Sequence, residues 1–162
     1  MDSILSLFHQ AAIKNADKPA IILNKQVLTY AQLENISNHL AANLIQRGLT
    51  SGQVAAIMLR QSVYLPALIL AVLKTGAAYL PLDAEYPSER LSFMLRDAQA
   101  DCLICENELL STTLDYQGQK WPLQELLNQS SPVQLLECEP FSESLAIVLY
   151  TSGSTGRPKG IK

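Results

Sequence analysis

Short apolar runs alternate with segments of helical periodicity along most of this chain, and this alternation limits the folds that it can adopt. The run Val54–Leu59 has the length of a strand and contains no polar side chain. A strand that is apolar at every position is typical of a parallel sheet covered on both faces. Strands that alternate with helices on short connections predict an α/β fold, with a mainly parallel sheet and helices on both faces.

Helices are predicted where apolar residues recur every three or four positions, and strands where short apolar runs lie between turn residues. The predicted helices are residues 3–16, Thr29–Gly48, Ser62–Gly76, Ser88–Asp97 and Leu123–Asn128. The predicted strands are Ala20–Leu23, Gln26–Leu28, Val54–Leu59, Ala77–Leu82, Cys102–Cys105 and Ala146–Tyr150. The region from Glu106 to about Glu143 is weakly patterned and is expected to hold its one short helix among loops.

Several residues predict where these elements begin and end. Thr29 and Gln32 have the spacing of a helix-capping box, and Gly48 and Gly76 suit the left-handed position after a helix. The core-facing stripes of two helices are predicted to be Leu33, Ile36, Leu40, Leu44 and Ile45 in one, and Leu91, Met94, Leu95 and Ala98 in the other.

Composition excludes several classes of protein. The chain has 162 residues, enough for one domain with a core, and 48% of them are hydrophobic. A net charge of -3 with scattered basic residues argues against nucleic-acid binding. The most apolar segment, Val63–Leu73, is too short to span a bilayer and contains Pro66. With no secretory signal and an odd count of three cysteines, a reduced, cytoplasmic protein is expected.

A few reactive side chains have ordinary explanations. Cys102 and Cys105 have the spacing of redox and zinc sites, but an offset of three residues on a strand points side chains to opposite faces. Buried thiols are therefore predicted. His9 and His39 lack a partner at a characteristic spacing and are predicted to be solvated helix residues. Lys74 is predicted to be a favourable charge near the end of its helix.

A stretch rich in hydroxyls and glycine, TSGSTG at 151–156, directly follows the last predicted strand. Its hydroxyls, exposed N–H groups and permissive backbone suit the binding of a nucleotide's phosphates. It does not fit the Walker sequence, since Pro158 precedes Lys159 and Gly160 follows it, and it lacks Gly-x-Gly-x-x-Gly. A polar linker is the alternative, although a linker requires neither the apolar strand before it nor the Pro-Lys-Gly after it.

Three stretches, in order, resemble the motifs of a known family. Leu149–Gly160 resembles the phosphate-loop signature of adenylate-forming enzymes, which include acyl-CoA synthetases, luciferases and the adenylation domains of nonribosomal peptide synthetases. Leu28–Leu33 and Leu73–Asp83 resemble the first and second core motifs of those adenylation domains. Tyr86–Leu91 continues the likeness and favours the peptide-synthetase branch over acyl-CoA synthetases.

The first two motifs depart slightly from the family and have structural explanations. Gln32 stands where Glu is more usual, and Thr75 stands where Ala is more usual. The first motif is a strand end with a helix cap, and the second is a helix end, a turn and a strand. Only the terminal motif is therefore expected to carry chemistry.

The resemblance implies an enzyme that uses ATP and Mg²⁺ to convert an amino acid to aminoacyl-AMP and pyrophosphate. It further implies transfer of the aminoacyl group to the phosphopantetheine thiol of a partner carrier domain. The residues that it implies for binding the β- and γ-phosphates are Thr151, Ser152, Gly153, Ser154, Thr155 and Gly156, with Lys159 assisting electrostatically. Expulsion of pyrophosphate requires donors and magnesium to hold the leaving group's charge. The chain is assigned no catalytic residue and no metal ligand.

Residues 1–162 are expected to be the N-terminal part of such an adenylation domain, ending just after the phosphate-binding loop. The adenine, ribose, hinge and catalytic-lysine motifs of the family are not matched, so the chain alone is expected to be inactive and to need the C-terminal part of its domain. The alternatives are an acyl-CoA synthetase-type ligase, a non-catalytic remnant or split subunit, and a free-standing nucleotide-binding module.

Overall fold

The computed structural model describes residues 3–113, 115–130, 145–152 and 158–161. Their helices are α1 (Ile4–Lys14), α2 (Tyr30–Gln46), α3 (Leu65–Lys74), α4 (Ser88–Asp97) and α5 (Leu123–Asn128), with a 3₁₀-helix at Asn107–Thr113. Their strands are β1 (Pro19–Leu23), β2 (Gln26–Thr29), β3 (Val54–Met58), β4 (Ala78–Pro81), β5 (Cys102–Cys105), β6 (Gln119–Pro122), β7 (Leu149–Ser152) and β8 (Pro158–Ile161).

A parallel sheet lies at the centre of the fold. Its four strands have the order β4-β3-β5-β6, and each neighbouring pair is parallel. Two antiparallel hairpins accompany it, one formed by β1 and β2 and the other by β7 and β8. The prediction of a mainly parallel α/β sheet is confirmed.

Helices cover both faces of this sheet. Alternate residues of β3 enter different core clusters: Ala55 and Ile57 pack with α2, α3 and α5, whereas Ala56 and Met58 pack with α4. All of β3 is buried, because each of its faces meets a helical layer. The predicted two-sided cover, drawn from the uninterrupted apolar run at this strand, is thus confirmed.

The local signals of helix boundaries are confirmed. Thr29 Oγ1 accepts a hydrogen bond from the N–H of Gln32 at 3.2 Å, and Gln32 Oε1 accepts one from the N–H of Thr29 at 2.9 Å. These two bonds form the predicted capping box at the start of α2. Gly48 and Gly76 follow α2 and α3 with φ of 96° and 80°, the left-handed region that favours glycine.

Two predictions about the helices were wrong in detail. Helix α3 begins at Leu65 and not at Ser62, because Ser62 forms a turn in which its carbonyl accepts from the N–H of Leu65. Ile45 does not belong to the buried stripe of α2 and is 40% exposed. The neighbouring Leu44 is fully buried, and a step of one residue turns a side chain by about 100° around a helix.

Strand β6 was missed in the region predicted to hold loops and one helix. It pairs in parallel with β5 and places Trp121 in the core. Its sequence, Gln-Lys-Trp-Pro, is short and half polar, so its composition carries no strand pattern. The helix predicted to follow, Leu123–Asn128, is confirmed as α5.

A buried amide links α2 to the segment around α5. Asn43 is fully buried, and its Nδ2 donates to the carbonyls of Leu126 at 2.6 Å and Gln129 at 3.1 Å. These bonds satisfy carbonyls at the end of a helix that has few partners of its own. Among the residues that the structure describes, no helix has the length and apolar character needed to cross a bilayer.

Candidate functional site

The chain approaches the predicted phosphate-binding stretch along the outer edge of the central sheet. The N–H of Tyr79 in β4 donates to the carbonyl of Ala146 at 3.0 Å, and the N–H of Val148 donates to the carbonyl of Tyr79 at 2.9 Å. These bonds form a parallel bridge between Tyr79 and Ile147. The segment after Val148 therefore leaves the sheet at its carboxyl edge, where α/β proteins bind ligands.

The predicted strand Ala146–Tyr150 is apolar at every position, but the structure buries it only in part. Val148 is buried and Tyr150 packs against the same core cluster, but Ala146 is exposed and Leu149 is 45% exposed. The segment pairs with the sheet at a single bridge, and β7 begins only at Leu149. Val148 and Tyr150 are two residues apart and face the core, whereas Leu149 between them faces away from it.

Strands β7 and β8 bring together Thr151 and Lys159, the first and the last of the predicted phosphate-binding residues. Their antiparallel register pairs Tyr150 with Gly160 and Thr151 with Lys159. Thr151 is exposed beyond the edge of the sheet. A hydroxyl in this position is available to a ligand at the carboxyl edge.

The predicted phosphate-binding residues fall into two groups. Three lie in described strands: Thr151 and Ser152 in β7, and Lys159 in β8. Of their side chains, the structure describes that of Thr151. The other four lie outside the described residues: Gly153, Ser154, Thr155 and Gly156. Phosphate binding by this set stays a prediction.

Tyr150 connects the hairpin to helix α4. Its hydroxyl donates to Asp97 Oδ2 at 2.6 Å and lies 3.4 Å from the carbonyl of Met94. Across the hairpin, a Cβ atom on Gly160 would lie 3.2 Å from Cζ of the Tyr150 ring. Burial, followed by the hydrogen bond and the charge of Asp97, raises the pKa of Tyr150, so its hydroxyl stays protonated and donates.

The two cysteines of β5 are buried on opposite faces of the sheet, as predicted. Cys102 belongs to the core cluster that contains α2, and Cys105 belongs to the cluster that contains α4. Burial, with a smaller contribution from Asp101, raises the pKa of Cys102 to about 12. Burial raises the pKa of Cys105 to about 11, with opposing smaller effects of the nearby charged groups. Thiols with such pKa values remain protonated and unreactive at neutral pH.

Lys74 has a more specific role in packing than its prediction suggested. It lies in the last turn of α3, as expected, but its side chain is only 4% exposed. Its Nζ donates to Ser37 Oγ and Asn38 Oδ1 at 2.7 Å each and lies 3.3 Å from Glu34 Oε2. These three residues form one face of α2 at helical spacing. The lysine therefore joins α3 to α2. The acidic side chain of Glu34 was the sequence feature that could have indicated this partner.

The two histidines lie on helices, and the structure gives both of them partners. His9 Nδ1 lies 3.2 Å from Glu34 Oε1 at an exposed position, which agrees with a solvated residue. His39 is half-buried, and its Nε2 lies 3.2 Å from Asn43 Nδ2. Within the described ranges, His, Cys, Asp and Glu side chains do not form groups of three or more that could hold a metal ion.

A cleft of about 660 Å³ opens at the carboxyl ends of β3 and β4. Its polar lining includes Arg60, Gln61, Asp83 and Glu85, and Asp83 Oδ1 accepts a hydrogen bond from the N–H of Glu85 at 2.9 Å. This lining was not predicted from the sequence. Its position directly after two predicted strands was the signal that could have found it.

Comparison with known proteins agrees with the motifs. The family model described as AMP-binding enzyme matches residues 7–162. The dimodular nonribosomal peptide synthase of Bacillus subtilis (strain 168) is 37% identical over an alignment of 168 residues, which covers 98% of this chain and 7% of that protein. The chain thus spans a small part of the length of this relative.

Solved structures share the fold. The N-terminal subdomain of Klebsiella oxytoca NpsA, in complex with 3-hydroxyanthranilyl-AMSN, superimposes with a TM-score of 0.89 at 25% identity, over 99% of this chain and 41% of that one. O-succinylbenzoate CoA synthetase (MenE) from Bacillus subtilis, in complex with ATP and a magnesium ion, superimposes with a TM-score of 0.85 at 23% identity. The superposition covers 95% of this chain and 41% of that one. The family match covers nearly the whole chain and the fold agrees with it, so this protein belongs to the AMP-binding enzyme family.

Proposed function

We propose that this chain is the N-terminal part of an adenylation domain that activates an amino acid with ATP. The reaction joins the carboxylate of the amino acid to the α-phosphate and releases pyrophosphate. One observation carries the proposal: the TSGSTG stretch begins where the chain leaves the carboxyl edge of a parallel sheet, with Thr151 exposed there. Such an edge is the usual ligand site of this class of fold.

The proposed phosphate-binding residues are Thr151, Ser152, Gly153, Ser154, Thr155, Gly156 and Lys159. Hydroxyl and backbone N–H donors with one lysine fit the β- and γ-phosphates, because they supply hydrogen bonds and one positive charge to an anion. Magnesium bound to ATP would neutralise charge on the departing pyrophosphate. The residues of this chain would hold and orient the leaving group.

The relatives favour an amino acid as the substrate. The chain is 37% identical to the dimodular nonribosomal peptide synthase but 23% identical to MenE, a CoA synthetase. The segment Tyr86–Leu91 points to the same branch. The structural likeness to MenE keeps an acyl-CoA synthetase-type ligase as the second candidate.

Further parts of the protein complete the proposed activity. This chain spans 7% of the dimodular nonribosomal peptide synthase and 41% of the solved NpsA subdomain. We therefore propose that the rest of the adenylation domain supplies the remaining ATP and amino-acid contacts, and that a carrier domain bearing phosphopantetheine accepts the product. ATP as substrate and the free, buried thiols of β5 fit a cytoplasmic location.

The test is ATP–pyrophosphate exchange by the complete adenylation domain that contains this chain. The double variant Thr151→Ala, Ser152→Ala should lower amino-acid-dependent exchange by about 10²-fold or more, because donors to the leaving group are lost. Thr50→Ala is the matched control, since Thr50 is exposed and precedes β3 at the opposite edge of the sheet. The 162-residue chain by itself should show no exchange.

Two results would overturn the proposal. Equal exchange by the double variant and by Thr50→Ala would show that the stretch does not bind the leaving group. Exchange that depends on a carboxylic acid without an amino group, followed by thioester formation with coenzyme A, would favour the CoA synthetase instead.

A further inference from the structure

We infer that Asp97 and Tyr150 are positioning residues, whose contact holds the β7–β8 hairpin against α4 in the orientation that phosphate binding requires. The inference rests on the proposed function, since it concerns the same site. Neither residue is proposed to touch ATP. They act through the backbone of the hairpin.

Asp97 is exposed, but its position within its helix disfavours a negative charge. Asp97 is the last residue of α4, where the helix dipole disfavours negative charge. The structure provides a partner in the hydroxyl of Tyr150 at 2.6 Å. A hydrogen bond from a hydroxyl to a carboxylate is stronger than one between neutral groups. A residue that conflicts with its local surroundings and is satisfied by a distant one is typical of a functional position.

The hairpin needs such an anchor. The bridge between Tyr79 and Ile147 holds the chain before β7 begins, and an isolated two-stranded hairpin is at best marginally stable. Within the described residues, Tyr150 packs against the core cluster of α4, and β8 lies beside the same helix. Helix α4 is itself anchored by its buried residues Leu91 and Leu95. The contact between Tyr150 and Asp97, which we call the tether, thus connects the hairpin to a rigid part of the fold.

Gly160 leaves room for the ring of Tyr150 between the two strands of the hairpin. It pairs with Tyr150 across the hairpin, and a Cβ atom there would lie 3.2 Å from Cζ and 3.3 Å from the hydroxyl oxygen of that ring. Any side chain at this position would press on the ring from β8. The absence of a side chain lets the ring lie across β8 while its hydroxyl reaches Asp97.

A tethered hairpin contributes to binding by preorganisation. Donors that are already in place bind the phosphates without the cost of ordering the chain, and their effect is greatest on the charge that develops in the transition state. Loss of the tether should therefore weaken use of ATP while leaving the affinity for the amino acid unchanged.

The test compares two tyrosine variants in the complete adenylation domain. Tyr150→Phe removes the tether. Tyr116→Phe is the matched control, because its hydroxyl donates to the carbonyl of Ala100 at 2.8 Å and its ring lies in the same core cluster. Tyr150→Phe should lower kcat/KM for ATP in pyrophosphate exchange by about 10-fold, with an unchanged KM for the amino acid. Tyr116→Phe should leave both values unchanged.

Variants at Asp97 supply the second half of the test. Asp97→Ala should reproduce Tyr150→Phe, whereas Asp97→Asn should retain most activity, because its amide oxygen still accepts from the tyrosine hydroxyl. Hydrogen exchange of the amides of β7 and β8 should be about 10-fold faster in Tyr150→Phe and unchanged in Tyr116→Phe. Without the hydrogen bond to the Asp97 carboxylate, the hairpin opens more often.

Clear outcomes separate this inference from the proposed function. Equal ATP kinetics and equal hydrogen exchange in the two tyrosine variants would overturn the tether even if Thr151→Ala, Ser152→Ala abolishes exchange. If that double variant stays active while Tyr150→Phe loosens the hairpin, the proposed function fails. The contact between Tyr150 and Asp97 is then only structural, and its positioning role is overturned as well.

Discussion

Replacement of Gly76 by alanine should destabilise the protein through two separate costs. Gly76 follows α3 with φ of 80°, a conformation that L-residues adopt reluctantly. A Cβ atom there would also lie 3.0 Å from Cβ and 3.3 Å from Cα of Ser51. The two loops are joined, since the N–H of Gly52 donates to the carbonyl of Gly76 at 3.4 Å. The backbone of Ser51 therefore cannot move away without breaking this contact.

The two costs can be estimated separately. The left-handed conformation costs a residue with a side chain about 1–2 kcal/mol, and a forced contact of this kind adds about 1–3 kcal/mol. Gly76→Ala should thus lower the free energy of unfolding by about 2–5 kcal/mol, the sum of these terms. Gly52 has φ of 83° and no atom within 4 Å of its ideal Cβ, so Gly52→Ala should incur only the first cost.

Urea unfolding of the chain, followed by circular dichroism, measures these differences. The predicted order of stability is wild type, then Gly52→Ala, then Gly76→Ala. In a Ser51→Gly background, the Cβ and Oγ of residue 51 are gone and only its Cα remains close, so the loss from Gly76→Ala should shrink towards that of Gly52→Ala. Equal losses at the two glycines in the wild-type background would contradict a steric contribution from Ser51.

Three further predictions concern the cap, the core and the thiols. Thr29→Ala should lower the free energy of unfolding in urea by about 1 kcal/mol, because it removes the hydroxyl that caps α2; no change would contradict the capping box with Gln32. Asn43→Ala should lower it by about 2–4 kcal/mol, because two carbonyls around the end of α5 lose their donor. Stability should fall as the pH rises from 9.0 towards about 11, because burial raises the pKa of Cys102 and Cys105 above 9.0 and the unfolded thiols ionise first. The free energy of unfolding, measured at a series of pH values, should fall less steeply when both cysteines are replaced by alanine. An unchanged slope would contradict the raised pKa values of the two thiols.

Elements with a strong local signal were predictable from the sequence. The capping box of Thr29 and Gln32 requires only residues within one turn of a helix, and it formed as predicted. The opposite placement of Cys102 and Cys105 follows from the two-residue repeat of a strand. Such features depend on backbone geometry and on side chains close together in the chain, so the sequence is sufficient for them.

Features that depend on distant neighbours were not predictable. Strand β6 has little apolar character and exists because β5 offers it a free edge. The burial of Lys74 depends on acceptors from α2, and the contact between Asp97 and Tyr150 joins two segments that are far apart in the chain. At the candidate site, the motif predicts the phosphate-binding residues, and the structure places Thr151 of that set at the carboxyl edge of the sheet.

The decisive measurement for the proposed phosphate site is a crystal structure of the complete adenylation domain with ATP and magnesium. We expect the β- and γ-phosphates to lie within hydrogen-bonding distance of the proposed residues, which are Thr151, Ser152, Gly153, Ser154, Thr155, Gly156 and Lys159. We also expect Tyr150 to remain bonded to Asp97 in that complex. Phosphates bound elsewhere, for example in the cleft beside Arg60 and Asp83, would show that the TSGSTG stretch does not hold the leaving group.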